Sequence, residues 1–89
     1  MFTQHVEIIN KLGLHARAAT KFANTANKFS STIQVCFDDK TIDGKSIMAL
    51  MLLAAAKGSH ITLTADGCDA EEALASLLEL INNRFDEEE

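Results

Sequence analysis

At 89 residues the chain can form one domain with a modest core and is too short for two. Apolar residues make up 47% and charged residues 24%, a globular composition that excludes disordered and fibrous classes. The net charge of −5 owes four of its thirteen acids to residues 86–89, and the remaining nine acids face eight bases, so the body lacks the basic footprint of a nucleic-acid binder.

The opening stretch MFTQHVEIINK has neither the basic flank nor the long apolar segment of a signal peptide. Residues 3–9 alternate, with Val6 and Ile8 on one side and His5 and Glu7 on the other, which predicts a half-buried strand. Residues 10–14 read as a loop in which Gly13 permits a turn. From His15 the period changes: Ala19, Phe22, Ala23, Ala26 and Phe29 fall on one helical stripe. Alternation returns at Ile33, Val35 and Phe37, followed by a turn at Asp38-Asp39 and a short strand through Thr41-Ile42.

A second helix is expected to start at Ser46, a favoured N-cap residue type, and to run to Lys57, with Gly58 as its stop. The run Ile47–Ala56 is apolar for ten residues, about half a membrane span. The next strand places Ile61, Leu63 and Ala65 inward. Asp69 and Glu72 have capping-box spacing, opening a helix that buries Ala70, Ala73, Leu74, Leu77, Leu80 and Ile81 and ends near Arg84.

Every strand has one polar face, so helices should cover one side of an antiparallel sheet. The expectation is an α+β, two-layer open-faced β-sandwich in the order β-α-β-β-α-β-α. We expect a domain over residues 1–85 and an acidic tail, 86–89, that frays into solvent and aids solubility. Cys36 and Cys68 lack metal-ligand spacing and read as reduced structural thiols of a soluble cytoplasmic protein.

The segment GLHARAAT, residues 13–20, carries the sharpest chemical signal. A helix starting at Ala16 puts His15 at or beside its N-cap, against first-turn N–H groups that lack intrahelical partners and carry the positive end of the dipole. A phosphoryl group on that ring would meet a ready anion site, and the Arg17 guanidinium can grip two phosphate oxygens at once. The same field favours the neutral imidazole, whose lone pair can attack phosphorus. Ala16, Ala18 and Ala19 keep the approach uncluttered.

The motif KLGLHARAATKF, with DGKSIMALMLLAAAKGSHITL and ADGCDAEEALASLLELI, resembles the HPr family of phosphocarriers of the bacterial phosphoenolpyruvate-dependent phosphotransferase system over nearly the whole chain. The resemblance implies a four-stranded antiparallel sheet in the order 1-4-2-3 with three helices on one face. It implies His15 as the phosphohistidine, modified at Nδ1, Arg17 as its phosphate-stabilising neighbour, and Ser46 as a regulatory phosphorylation site. It also implies docking through Ala16, Thr20, Ile47, Met48 and Met51. The partners implied are an enzyme I-type donor, an enzyme IIA-type acceptor and an HPr kinase/phosphorylase acting on Ser46. No metal, cofactor, nucleic acid or membrane insertion is called for, and the carrier is expected to be a monomer and no enzyme. The segments INNRFDEEE and IMALMLLAAAKG resemble proteobacterial members, including the nitrogen-related NPr branch, so sugar uptake and nitrogen-related regulation both stay open. Where the family commonly has HARPA, position 18 is Ala; this removes no group that would touch phosphate.

Other readings fit less well. An acyl carrier protein also modifies a serine opening a helix, but at Asp-Ser-Leu in an all-helical fold, against Lys45-Ser46-Ile47 here. A P-loop ending at Ser46 would need glycine at position 39, which is Asp. A catalyst using His15 as general base needs a pocket and an orienting partner, and neither His5 nor His60 supplies one. A non-carrier regulatory or ligand-binding domain of similar topology is the remaining alternative.

Overall fold

In a computed structural model describing residues 1–87, four strands form one antiparallel sheet: β1 (Phe2–Glu7), β2 (Thr32–Phe37), β3 (Lys40–Asp43) and β4 (His60–Asp66). Their order is β1-β4-β2-β3, as the resemblance implied, so β1 lies at one edge and the last strand, β4, sits between β1 and β2. Helices α1 (Ala16–Ala26) and α2 (Ile47–Leu53), which connect strands, and α3 (Ala70–Asn82), which follows the last one, complete the α+β two-layer open-faced sandwich.

The strand alternation decides which face is covered. Ile33 and Val35 of β2 and Ile61, Leu63 and Ala65 of β4 are buried against Phe22 of α1, Leu50 of α2, and Leu77 and Ile81 of α3. Each large side chain in such a core contributes roughly 1.5–3 kcal/mol of burial. The opposite face carries His5 and Gln34, both exposed, with His5 Nδ1 2.9 Å from the Thr62 hydroxyl. Asp38 and Asp39 both adopt positive φ, the conformation of a tight hairpin turn, and bring β3 back beside β2.

Three features differ from expectation. Helix α2 stops at Leu53, not Lys57, because Ala54 turns left-handed (φ 56°). Ala55 is then buried, its carbonyl engaged outside the helix, and Gly58 belongs to a later turn where its N–H bonds the Ile8 carbonyl at 2.7 Å. The capping box at Asp69 does not form: the Asp69 carboxylate accepts instead from the Ser30 and Ser31 amides at 2.8 and 2.9 Å and from the Ser31 hydroxyl. Cross-chain donors outcompeted the helix's own N–H groups, and these bonds outweigh partial desolvation to hold the carboxyl below its usual value of 3.8. Cys36 is half-buried, whereas Cys68 is exposed, so the second thiol is not a core residue; neither is in a disulfide.

Candidate functional site

The loop between β1 and α1 is held from several sides. The Gly13 N–H returns to the Asn10 carbonyl at 3.2 Å, and Asn10 Nδ2 donates to the Gly13 carbonyl at 2.8 Å. Gly13 has φ +66°, and a Cβ there would lie 2.5 Å from the Ala55 carbonyl oxygen, so glycine is required by conformation and by space. That close approach lets the Leu14 N–H bond the Ala55 carbonyl at 2.9 Å while the Leu14 side chain enters the core.

His15 is the N-cap of α1, in extended backbone conformation, and its carbonyl accepts from the Ala19 N–H at 2.8 Å. Its side chain makes no cap bond, and the first turn holds no acidic residue. The positive end of α1 is therefore uncapped by side chains, as an anion site requires. Arg17 and Ala16 are exposed. Ala18 and Ala19, expected to clear the approach, are instead fully buried, so Ala18 fills core space where the family commonly has proline.

The His15 ring is partly covered: its side chain is 26% exposed, and its Nε2 lies 2.5 Å from Oε2 of Glu87. Among the described residues no group hydrogen-bonds Nδ1. The other Glu87 oxygen accepts from Asn10 Nδ2 at 2.8 Å. Burial would raise the Glu87 pKa, but the hydrogen bonds from Asn10 and His15 and the charges of His15 and Arg17 together hold it below the usual 4.5.

The fraying expected of the acidic tail does not hold at residues 86 and 87; residues 88 and 89 lie outside the described residues. Phe85 is fully buried, extending the Leu77–Ile81 stripe by another four residues. Lys21 Nζ donates to the Phe85 carbonyl at 2.8 Å and sits 3.7 Å from the Asp86 carboxylate. Arg84, Phe85 and Asp86 all have φ between 53° and 63°, a left-handed turn that costs on the order of 1–2 kcal/mol per residue. Burial of Phe85, worth about 1.5–3 kcal/mol, and the Lys21 and Glu87 contacts offset much of that strain. Composition alone hid this segment, although Phe85 at helical spacing from Ile81 was a signal that the chain end is anchored.

Ser46 is the N-cap of α2, accepting from the Ala49 N–H at 3.2 Å, and the bond of Lys45 Nζ to the Phe29 carbonyl at 2.8 Å ties this point to the end of α1. His15 is linked through Leu14 to Ala55, beyond the other end of α2, so a helix of seven residues, roughly 10 Å, separates the two attachments. Ser46 and His15 form no single cluster.

Of the expected docking residues, Ile47, Met48 and Met51 are exposed, Met48 at 74%, while Leu50 and Leu53 turn inward. Leu12 and Leu52 are exposed apolar residues that the sequence reading did not single out. The all-round apolar helix concealed which positions face out. Thr20 is half-buried, its hydroxyl bonded to the Ala16 carbonyl at 2.8 Å. No group of three or more His, Cys, Asp or Glu side chains among the described residues could hold a metal ion.

A family model described as the PTS HPr component phosphorylation site matches residues 2–83. The chain is 55% identical over 89 residues to the phosphocarrier protein HPr of Neisseria meningitidis serogroup A, covering all of both chains. It is 42% identical to the phosphocarrier protein NPr of Shewanella violacea, over 94% of this chain and 92% of that one. The crystal structure of HPr-C-His from Thermoanaerobacter tengcongensis superimposes with a TM-score of 0.96 at 47% identity, covering both chains fully. An HPr dimer from the same organism gives 0.79 at 49% identity, over 92% of this chain and 94% of that one.

Proposed function

This chain belongs to the HPr family of phosphocarriers, and from that membership we propose that it accepts phosphate on His15 from an enzyme I-type donor and passes it to an enzyme IIA-type acceptor. It is a phosphocarrier of the phosphotransferase system and not an enzyme: it is consumed and regenerated by its partners. The observation that supports His15 is its place at the uncapped N-terminus of α1, with Nδ1 unpartnered among the described residues and Arg17 in the same first turn. The dipole end and guanidinium would steady the phosphoryl group by about 0.3–1 kcal/mol for the helix contribution, enough to hold it without trapping it. Position and charge do the work of transfer, with no added base.

Ser46 is read as a second phosphorylation site, available to an HPr kinase/phosphorylase. About two negative charges there would sit beside exposed Ile47 and Met48, on the surface read as docking with partners, and would disfavour acidic ones without unfolding α2. Ala16, Thr20 and Met51 extend that surface. The higher identity to the Neisseria HPr than to the Shewanella NPr favours the HPr branch. Among the described residues no helix is long and apolar enough to cross a membrane, and the proposed partners place the carrier in the cytoplasm. A monomer suffices for transfer between two histidines on separate proteins; the dimeric relative makes oligomeric state a point for direct measurement.

The test is intact mass and phosphorus NMR after incubation with phosphoenolpyruvate and enzyme I. An acid-labile phosphate present in the natural chain and absent in His15→Ala is expected. Labelling that persists in the variant would displace His15 from the role.

A further inference from the structure

Glu87 is the only group among the described residues that hydrogen-bonds the His15 ring. An ionised carboxylate offers acceptors only, so across the 2.5 Å contact the hydrogen belongs to Nε2. We propose that Glu87 is a positioning residue for phosphoryl transfer, keeping a proton on Nε2 of His15 and thereby leaving the Nδ1 lone pair as the acceptor for phosphorus. This rests on the reading of His15 as the phosphate acceptor. The depressed Glu87 pKa agrees with a carboxylate ionised at neutral pH.

The carboxylate is itself held. Asn10 is fully buried, and its Nδ2 donates both to Glu87 Oε1 and to the Gly13 carbonyl, each at 2.8 Å. Among the described residues its Oδ1 has no hydrogen-bond partner, which is costly for a buried amide. Asn10 is thus oriented by its two acceptors, one of them Glu87. On the other side, Phe85 buried in the core and the Lys21 bond to its carbonyl fix where Glu87 begins. A carboxylate that holds a histidine tautomer through one ring nitrogen while the other does chemistry is a well-founded physical arrangement.

The transfer step balances without a proton acceptor. The Nδ1 lone pair forms a new N–P bond as the donor protein's N–P bond breaks and the donor ring regains its electron pair. The Nε2 proton stays in place, so the His15 ring becomes cationic as the bond forms, and Glu87 lies against that charge. Onward transfer returns the pair to Nδ1 and the ring to neutrality. The phosphoryl group sits on the ring nitrogen away from Glu87, so dianion and carboxylate do not compete for one atom.

The test compares the full chain with Glu87→Ala and Glu87→Gln by nitrogen-15 NMR of the His15 ring in its neutral range, and by kcat/KM for phosphate uptake from phosphorylated enzyme I. In the natural chain Nε2 should show the shift of a protonated nitrogen. Glu87→Ala should move both ring nitrogens toward an averaged mixture of tautomers and lower kcat/KM about tenfold, the scale of one charge-assisted hydrogen bond. Glu87→Gln, which keeps an oxygen acceptor, should restore part of both. Unchanged ring shifts in Glu87→Ala would overturn the proposal, and faster uptake would make Glu87 an inhibitory latch. If the natural chain takes up no phosphate, the carrier reading of His15 fails instead, while the ring shifts still decide whether Glu87 sets the tautomer.

Discussion

The N–H of Leu14 and the carbonyl of Ala55, 2.9 Å apart, join the two halves of the site: one residue precedes His15, the other follows the helix carrying the exposed methionines. The bond exists because α2 ends early at left-handed Ala54 and because Gly13 has no side chain to block the approach. The loop that ends at His15 and helix α2 are thereby tied into one unit by a backbone bond.

Gly13→Ala should break that unit. It forces a Cβ into left-handed backbone and against the Ala55 oxygen, and is expected to destabilise the fold by more than about 1 kcal/mol. Urea denaturation gives the stability and phosphate uptake gives the consequence for His15; a variant as stable as the natural chain would show that the loop can move aside freely.

Arg17 is exposed, so Arg17→Ala should leave stability within roughly 0.5 kcal/mol while slowing transfer to and from His15. Arg17→Lys should rescue only partly, since an ammonium lacks the planar two-pronged grip on phosphate oxygens. Transfer kinetics that do not change in Arg17→Ala would remove Arg17 from the site.

Phe85→Ala tests whether the chain end belongs to the domain. Deleting a fully buried phenylalanine should cost on the order of 3 kcal/mol, near the low end of the range because the left-handed turn is released at the same time. Thermal or urea unfolding measures it, and a cost close to zero would return the segment to the class of loose tails.

Asp69 sets an acid dependence. Its folded pKa is depressed, so the native state binds the proton less readily than the unfolded chain does. The stabilisation is fully present above the ordinary value of 3.8 and is lost as pH falls from there through the lower folded value. Asp69→Asn should therefore be less stable than the natural chain at neutral pH, with the gap narrowing under acid. Parallel stability curves across that range would exclude the mechanism.

Ser46 allows charge to be separated from capping. Ser46→Ala loses the bond to the Ala49 N–H and should cost about 1 kcal/mol of stability. Ser46→Asp keeps an N-cap acceptor yet should bind enzyme I more weakly, with the deficit shrinking as salt rises. Equal affinity for Ser46→Asp and the natural chain, measured by titration calorimetry, would count against control by charge.

Most of the architecture was legible in local pattern. Period-two alternation at Ile33–Phe37 and Ile61–Ala65 marked strands with one buried face, and the stripe from Ala19 to Ala26 marked the first helix, because side-chain direction repeats with backbone geometry. His15 and Arg17 were visible for the same reason: both lie within a few residues of one helix start. What local pattern could not supply were contacts between distant residues. Ala55, just past its helix, bonds Leu14 in the loop ahead of the first helix, Asp69 leaves its own helix for Ser30 and Ser31, and Glu87 reaches Asn10 and His15 from the opposite end of the chain. Each of these polar groups had a local alternative, a helix turn or water, and exchanging one hydrogen-bond partner for another changes the free energy only modestly. Only the packed core, by bringing those segments together, decided between them.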